Sequence, residues 1–224
     1  MGKKFFEEIE LFLFDMDGLL FDTETIYVGY GREVAKKMGY TITKDIVEKT
    51  TGVTDDKARI LFKESLGQDF PYDKMMGTVK DHILELAKKS EVPLKSGALE
   101  LLEFLRENNK EMILATSSDF FMAEALINGK DLKKYFSHFV TAEDVVHGKP
   151  DPEVFLIGAK KAGVSPEKTA VFEDSFNGIR AAHAAGTFPI MVPDKLKPTE
   201  EIEKLVYKKF NSLVEVLDYF KGND

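Results

Sequence analysis

Ile9-Glu10-Leu11-Phe12-Leu13-Phe14-Asp15-Met16-Asp17-Gly18 is an apolar run that stops abruptly on an aspartate. A nearly continuous apolar segment of this length suits a strand buried on both faces of a parallel sheet. Similar runs recur at Met112-Ile113-Leu114-Ala115, Phe139-Val140, Ala170-Val171-Phe172 and Pro189-Ile190-Met191-Val192. Helical patterns separate them, over 98–107, 120–127, 152–162 and 178–185. Strand and helix alternating in this way predict βαβ units, and so an α/β fold with a doubly wound parallel sheet covered by helices on both faces.

Residues 22–91 break the rhythm, with four helical patterns (23–38, 44–49, 54–66 and 72–89) and no strand between them. Thr54 followed by Asp55 and Asp56 reads as a helix start, a capping hydroxyl with acids at the positive end of the dipole. The expected organisation is a core of residues 1–21 and 92–224 with a helical cap, 22–91, inserted after the first strand. The 13 acids and 12 bases of 22–91 nearly cancel, so −7 of the formal net charge of −8 sits on the core. The Lys-rich stretch 204–209 reads as the solvated face of a last helix or turn, residues 213–220 as a helix packed on the sheet, and Phe120-Phe121 as core anchors for their helix.

At 224 residues, with 43% hydrophobic and 31% charged residues, this is the composition of an ordinary globular protein. There is no cysteine, which excludes a disulfide framework, a thiolate nucleophile and a cysteine zinc site, and four histidines make a histidine-rich metal site a poor expectation. An acidic balance argues against broad nucleic-acid or anionic-membrane binding. The apolar run near the start is broken by Glu10 and Asp15, too short for a signal segment or a membrane span. A cytoplasmic monomer is expected.

Ligands of an open parallel sheet bind in the crevice beyond the carboxyl ends of its strands. The first strand ends in Asp15-Met16-Asp17-Gly18, another in Thr116-Ser117-Ser118, and a later one in Glu173-Asp174-Ser175. His147-Gly148-Lys149-Pro150-Asp151-Pro152 lies just ahead of a helix. Singly, each has an ordinary reading as a turn, a helix cap or a solvated lysine. Together they bring four carboxylates, a hydroxyl cluster and one lysine to a single edge. Close carboxylates repel unless a cation joins them, and hard oxygen ligands without His or Cys select Mg²⁺. Hydroxyls and free backbone N–H groups can receive phosphoryl oxygens, and aspartate is a known nucleophile at phosphorus. The set points to phosphoryl transfer.

These residues resemble the motifs of the haloacid dehalogenase-like hydrolase superfamily. Phe14-Asp15-Met16-Asp17-Gly18-Leu19-Leu20-Phe21-Asp22-Thr23-Glu24 is similar to its first motif and Leu114-Ala115-Thr116-Ser117-Ser118 to its second. Gly148-Lys149-Pro150-Asp151-Pro152 resembles the third and Phe172-Glu173-Asp174-Ser175 the fourth. The similarity is greatest to the branch of β-phosphoglucomutase, sugar-phosphate phosphatases and pseudouridine-5'-phosphatase, which implies a Rossmann-like core with an all-helical cap. It also implies that Asp15 attacks phosphorus to form an aspartyl-phosphate, while Asp17 protonates the leaving oxygen and later deprotonates water. Mg²⁺ is then held by Asp15, the Asp17 carbonyl and Asp174, with Glu173 in support. Thr116, Ser117 and Lys149 bind phosphoryl oxygens, Lys149 also shielding Asp15.

Within the superfamily, the acid at Asp17 separates this chain from the true dehalogenases, and its length and cap separate it from receiver domains. Mutases of the β-phosphoglucomutase type carry a His, a Lys and an Arg in the cap, where this chain has Tyr27, Thr51 and Asp55. The expected activity is therefore Mg²⁺-dependent hydrolysis of a small phosphorylated metabolite, a sugar phosphate or nucleoside-like monophosphate. A sugar phosphomutase and a non-catalytic phosphate-binding module are the alternatives. Thr23, Tyr27, Thr51 and Gly52 from the cap, with Ser118 from the core, are the expected substrate contacts, and hinges are expected near 21–22 and 92–93.

Overall fold

The computed structural model describes residues 2–223. A short helix α1 (Gly2–Glu8) leads into strand β1 (Leu11–Phe14). Four helices then follow without a strand: α2 (Thr23–Lys37), α3 (Lys44–Thr50), α4 (Asp55–Leu66) and α5 (Tyr72–Lys88). The rest alternates through α6 (Ala98–Glu107), β2 (Glu111–Ala115), α7 (Phe120–Gly129), β3 (His138–Val140), α8 (Glu153–Ala162) and β4 (Thr169–Glu173). It ends with α9 (Phe176–Ala184), β5 (Phe188–Met191), α10 (Glu200–Glu203), β6 (Lys208–Lys209) and α11 (Leu213–Lys221). All strand pairs are parallel, in the order β3-β2-β1-β4-β5-β6. The winding reverses at β1, where a doubly wound sheet opens its ligand crevice.

Successive side chains of a strand point to opposite faces, so a strand covered on both sides is apolar throughout. Phe12 and Phe14, with Met112, Leu114 and Phe172, pack on the side of α1, α6, α7 and α11. Leu11 and Leu13, with Ile113 and Val171, pack against Val154, Phe155 and Ala159 of α8 and Ala181 and Ala182 of α9. On the first face the Phe220 ring lies 5.2 Å from Phe6, 5.7 Å from Phe12 and 6.3 Å from Phe172. The chain enters and leaves the four-helix insertion side by side: Asp22 N–H donates to Pro93 O at 3.0 Å and Lys95 N–H to Leu20 O at 2.8 Å. Within the insertion α2 packs on α5 and α3 on α4, and α5 also rests on α7.

Three details differ from the sequence expectation, and one element, α1, is additional to it. Residues 2–8, charged and short, form α1; seven residues cannot hold a helix alone, and Phe5 and Phe6 supply the packing, Phe5 stacking on Tyr207 at 4.2 Å. Lys208 and Lys209 are an edge strand opposite Ile190 and Met191 rather than a helix face, a position where lysine discourages further pairing. Phe120 and Phe121 are 48% and 60% exposed, because the buried stripe of α7 runs through Met122, Ala123, Leu126 and Ile127 and leaves its first turn at the rim. The Thr54 hydroxyl makes no capping hydrogen bond, whereas Thr43 does cap α3. Among the described residues no helix is long and apolar enough to cross a membrane.

Truncating a fully buried ring at this junction leaves a cavity among aromatics, so Phe220→Ala should lower the unfolding free energy by about 3–5 kcal/mol, measured by urea denaturation.

Candidate active site

Asp15 continues the ladder just past β1, its N–H donating to Phe172 O at 3.1 Å. The chain then turns back tightly, with Gly18 N–H donating to Phe21 O at 2.9 Å. Gly18 has φ +82°, and a Cβ there would collide with the Asp174 carboxylate. Glycine serves twice at this position, for the left-handed backbone and for the close approach of a second acid.

Lys149 reaches under this turn and is buried. Its ammonium lies 2.5 Å from Asp15 Oδ1, 2.6 Å from Glu173 Oε1 and 3.1 Å from the Ala115 carbonyl, so its three donors are all used within the protein. Burial opposes its charge, but Asp15 and Glu173 outweigh burial and hold its pKa above the ordinary range. Glu173 Oε2 accepts from the Ser175 N–H at 3.0 Å and hydroxyl at 2.9 Å. Both oxygens of Glu173 are thus engaged, so it anchors Lys149 while one of its oxygens also stands in the acidic cluster with Asp15 and Asp174. A Cβ at Gly178 would overlap the same carboxylate.

Asp17 is held by two hydroxyls, Thr23 donating to Oδ1 and Ser118 to Oδ2, each at 2.7 Å. Thr23 and Ser118, expected to touch substrate, are spent on this carboxylate. Thr116 is buried and its Oγ1 accepts from the Ser118 N–H at 3.0 Å. Ser117, Tyr27, Thr51 and Gly52 line a cavity of about 540 Å³ together with Asp15, Asp17, Thr116, Lys149 and Asp174. Among the described residues no histidine lines it.

Burial pushes the Asp15 carboxyl up to about 8, against the pull of Lys149 and with the added push of Glu173 and Asp17. Burial, then Glu173 and Asp15, raise Asp174 well above the carboxylate range. One oxygen from each of Asp15, Glu173 and Asp174 lies within 4.8 Å of the others. A single lysine cannot neutralise this many buried acids, and an all-oxygen donor set of this kind suits a hard divalent cation.

Four further residues of the site were not assigned from sequence. Ser175 caps α9 through Gly178 N–H and bonds Glu173. Asn177 donates to the Gly52 carbonyl at 3.3 Å, joining core to cap. Asp194, just beyond β5, accepts from Lys95 at 2.7 Å. Glu24, the last residue of the first motif, lines the cavity; burial, then Asp17 and Asp194, push it up to about 7, with Lys195 opposing and Asp22 adding a little. Nearness to the Asp15–Asp17 turn was the available signal for Glu24, and adjacency to Glu173 that for Ser175; Asn177 and Asp194 lie far off in sequence from what they touch.

Comparison with known proteins agrees with this geometry. A family profile described as haloacid dehalogenase-like hydrolase matches residues 12–192. A phosphorylated carbohydrates phosphatase of Thermotoga maritima is 35% identical over 182 residues, covering 80% of this chain and 82% of its own. A Drosophila melanogaster protein provisionally assigned as a pseudouridine-5'-phosphatase is 32% identical over 200 residues, 87% of this chain and 86% of its own. A solved Thermotoga maritima structure, provisionally assigned as a β-phosphoglucomutase, superposes with a TM-score of 0.77 at 31% identity, covering 96% of this chain and 99% of that one. The chain belongs to the haloacid dehalogenase-like hydrolase family.

Two outcomes follow from the packing and charge. Gly178→Ala forces Glu173 off Lys149 and should cost about 1–3 kcal/mol by thermal unfolding, with loss of most activity. Glu24 carries a folded pKa near 7 against an ordinary 4.5, so it favours the folded state at low pH and loses that contribution as pH rises through 7. With chelator present, the Tm of Glu24→Gln minus that of wild type should therefore grow between pH 5 and 7 and level off above it.

Proposed function

We propose that the protein is a Mg²⁺-dependent phosphatase that hydrolyses a small phosphorylated metabolite through an aspartyl-phosphate on Asp15. The chain is a phosphomonoester hydrolase of the haloacid dehalogenase-like family, and relatives named as a phosphorylated carbohydrates phosphatase and a pseudouridine-5'-phosphatase support a small phosphorylated substrate. One observation carries the reading above the rest: Asp15 and Asp17 face one cavity, the first against Lys149 and the second fixed by two hydroxyls.

The Asp15 carboxylate oxygen attacks phosphorus, the acyl-phosphate bond forms, and the bond to the leaving alcohol oxygen breaks. Asp17 gives that oxygen its proton. It then takes a proton from the water that attacks the phosphoryl group, which releases Asp15 and inorganic phosphate. Lys149 favours the ionised form of Asp15 against burial, and Thr116 and Ser117 receive phosphoryl oxygens. Asp15 and Asp174, with the Asp17 carbonyl, would hold the metal, which when bound supplies positive charge for the phosphoryl oxygens.

The phosphatase reading is favoured over a mutase by the cap side of the cavity. Among the described residues, none of its lining there is Lys, Arg or His, so the cap offers a bisphosphate's second phosphate no cation; Lys195, on the core side, is engaged by Thr25 and Asp194.

Release of phosphate from an aryl phosphate should require Mg²⁺ and fall at least about 1000-fold in Asp15→Asn, measured with and without chelator. Asp17→Asn should lower kcat by about 10²–10⁴-fold, the ordinary contribution of a general acid–base. Wild-type turnover in Asp15→Asn would overturn the mechanism.

A further inference from the structure

The cavity extends past the catalytic edge into the space between the cap helices, where its walls are hydrocarbon. Val28, Val47, Phe62, Met75 and Met76 line it there, and Leu196 closes it from the core side. The polar groups of the same stretch are largely committed to the protein. Thr50 donates to the Ile46 carbonyl and Thr51 to the Val47 carbonyl, each at 2.8 Å, and the Tyr72 hydroxyl donates to Asp55 at 2.8 Å. A volume of about 540 Å³ exceeds the needs of a phosphoryl group and lies in the range of pockets that enclose a whole small molecule.

We infer that the substrate is a phosphate monoester whose alcohol carries an apolar body of about ring size, seated in the cap, rather than a polyol or a bisphosphate. The inference rests on the hydrolytic reading of this same site. An apolar body gains by leaving water for these walls. A polyol placed there would strip its hydroxyls of water without returning partners. Of the other polar lining, Lys195 is paired with Thr25 and Asp194 and Asn177 with the Gly52 carbonyl, which leaves polar recognition chiefly to the mouth, where Glu24 and Tyr27 face Asp17; burial, then Asp17, raises the Tyr27 phenol and keeps it a donor.

The test compares kcat/KM for phosphates of primary alcohols, whose leaving groups have similar intrinsic reactivity: ethyl, butyl and benzyl phosphate against glucose 6-phosphate, all with Mg²⁺. Benzyl phosphate should exceed both ethyl phosphate and glucose 6-phosphate by about tenfold or more. In Met76→Gln the benzyl-to-ethyl ratio should fall about tenfold. Equal or faster turnover of glucose 6-phosphate, or no gain from ethyl to benzyl, overturns the inference while leaving hydrolysis intact. Phosphate release from none of the esters overturns the hydrolytic reading instead. In that case calorimetry with benzylphosphonate and ethylphosphonate reads the cavity alone: about tenfold tighter binding of the benzyl compound sustains the apolar site, and equal binding overturns it.

Discussion

The ammonium of Lys149, buried between Asp15 and Glu173, is the constraint around which the site is built. Removing one member of a buried ionic set strands its partners, at a cost of about 3–5 kcal/mol, so the three side chains must arrive together. Their arrival depends on β1 and β4 lying side by side in parallel register, Phe14 opposite Phe172, so that the next residue on each strand ends at the same edge. The Ala115 carbonyl at the end of β2 takes the third donor. Three adjacent strands thus converge on one cation, and the position of Gly178 against the Glu173 carboxylate shows how little room the arrangement leaves.

Asp17 answers to a different set of elements. One of its hydroxyl donors, Thr23, opens the first helix of the insertion, and the other, Ser118, follows β2 in the core. The insertion is therefore tied to the site as well as covering it, because the first residue of α2 orients the carboxylate proposed to hand over a proton. Pre-set orientation of an acid–base group in this way removes the freedom that would otherwise have to be frozen during reaction.

The loop after β5 ties the two connections of the insertion to the core. Lys95, beside the returning connection, bonds Asp194, and Lys195 bonds Thr25 in the first turn of α2 at 2.9 Å. The same loop supplies Leu196 to the cavity, so the segment that steadies the entrance also closes its far wall. Charge and packing here serve one geometry: acids at the strand ends, hydrocarbon above them.

Sequence pattern by itself determined the alternation of strand and helix, the helical insertion, and the acids and lysine at the strand ends, because burial on two faces and carboxylates after strands leave local marks. The helix at residues 2–8 and the strand at Lys208–Lys209 left none, since tertiary partners, Phe220 and Tyr207 for one and β5 for the other, make them form. Phe120 and Phe121 were legible as apolar but not as exposed, because phase along a helix is settled by where its inner stripe begins. Only the folded chain decided that Glu173 backs Lys149, that Thr23 and Ser118 serve Asp17, and that the cap's interior is hydrocarbon. Those outcomes depend on distances between residues up to about a hundred positions apart, and the physical reason is that a side chain's partner is chosen by packing in three dimensions, which no local spacing records.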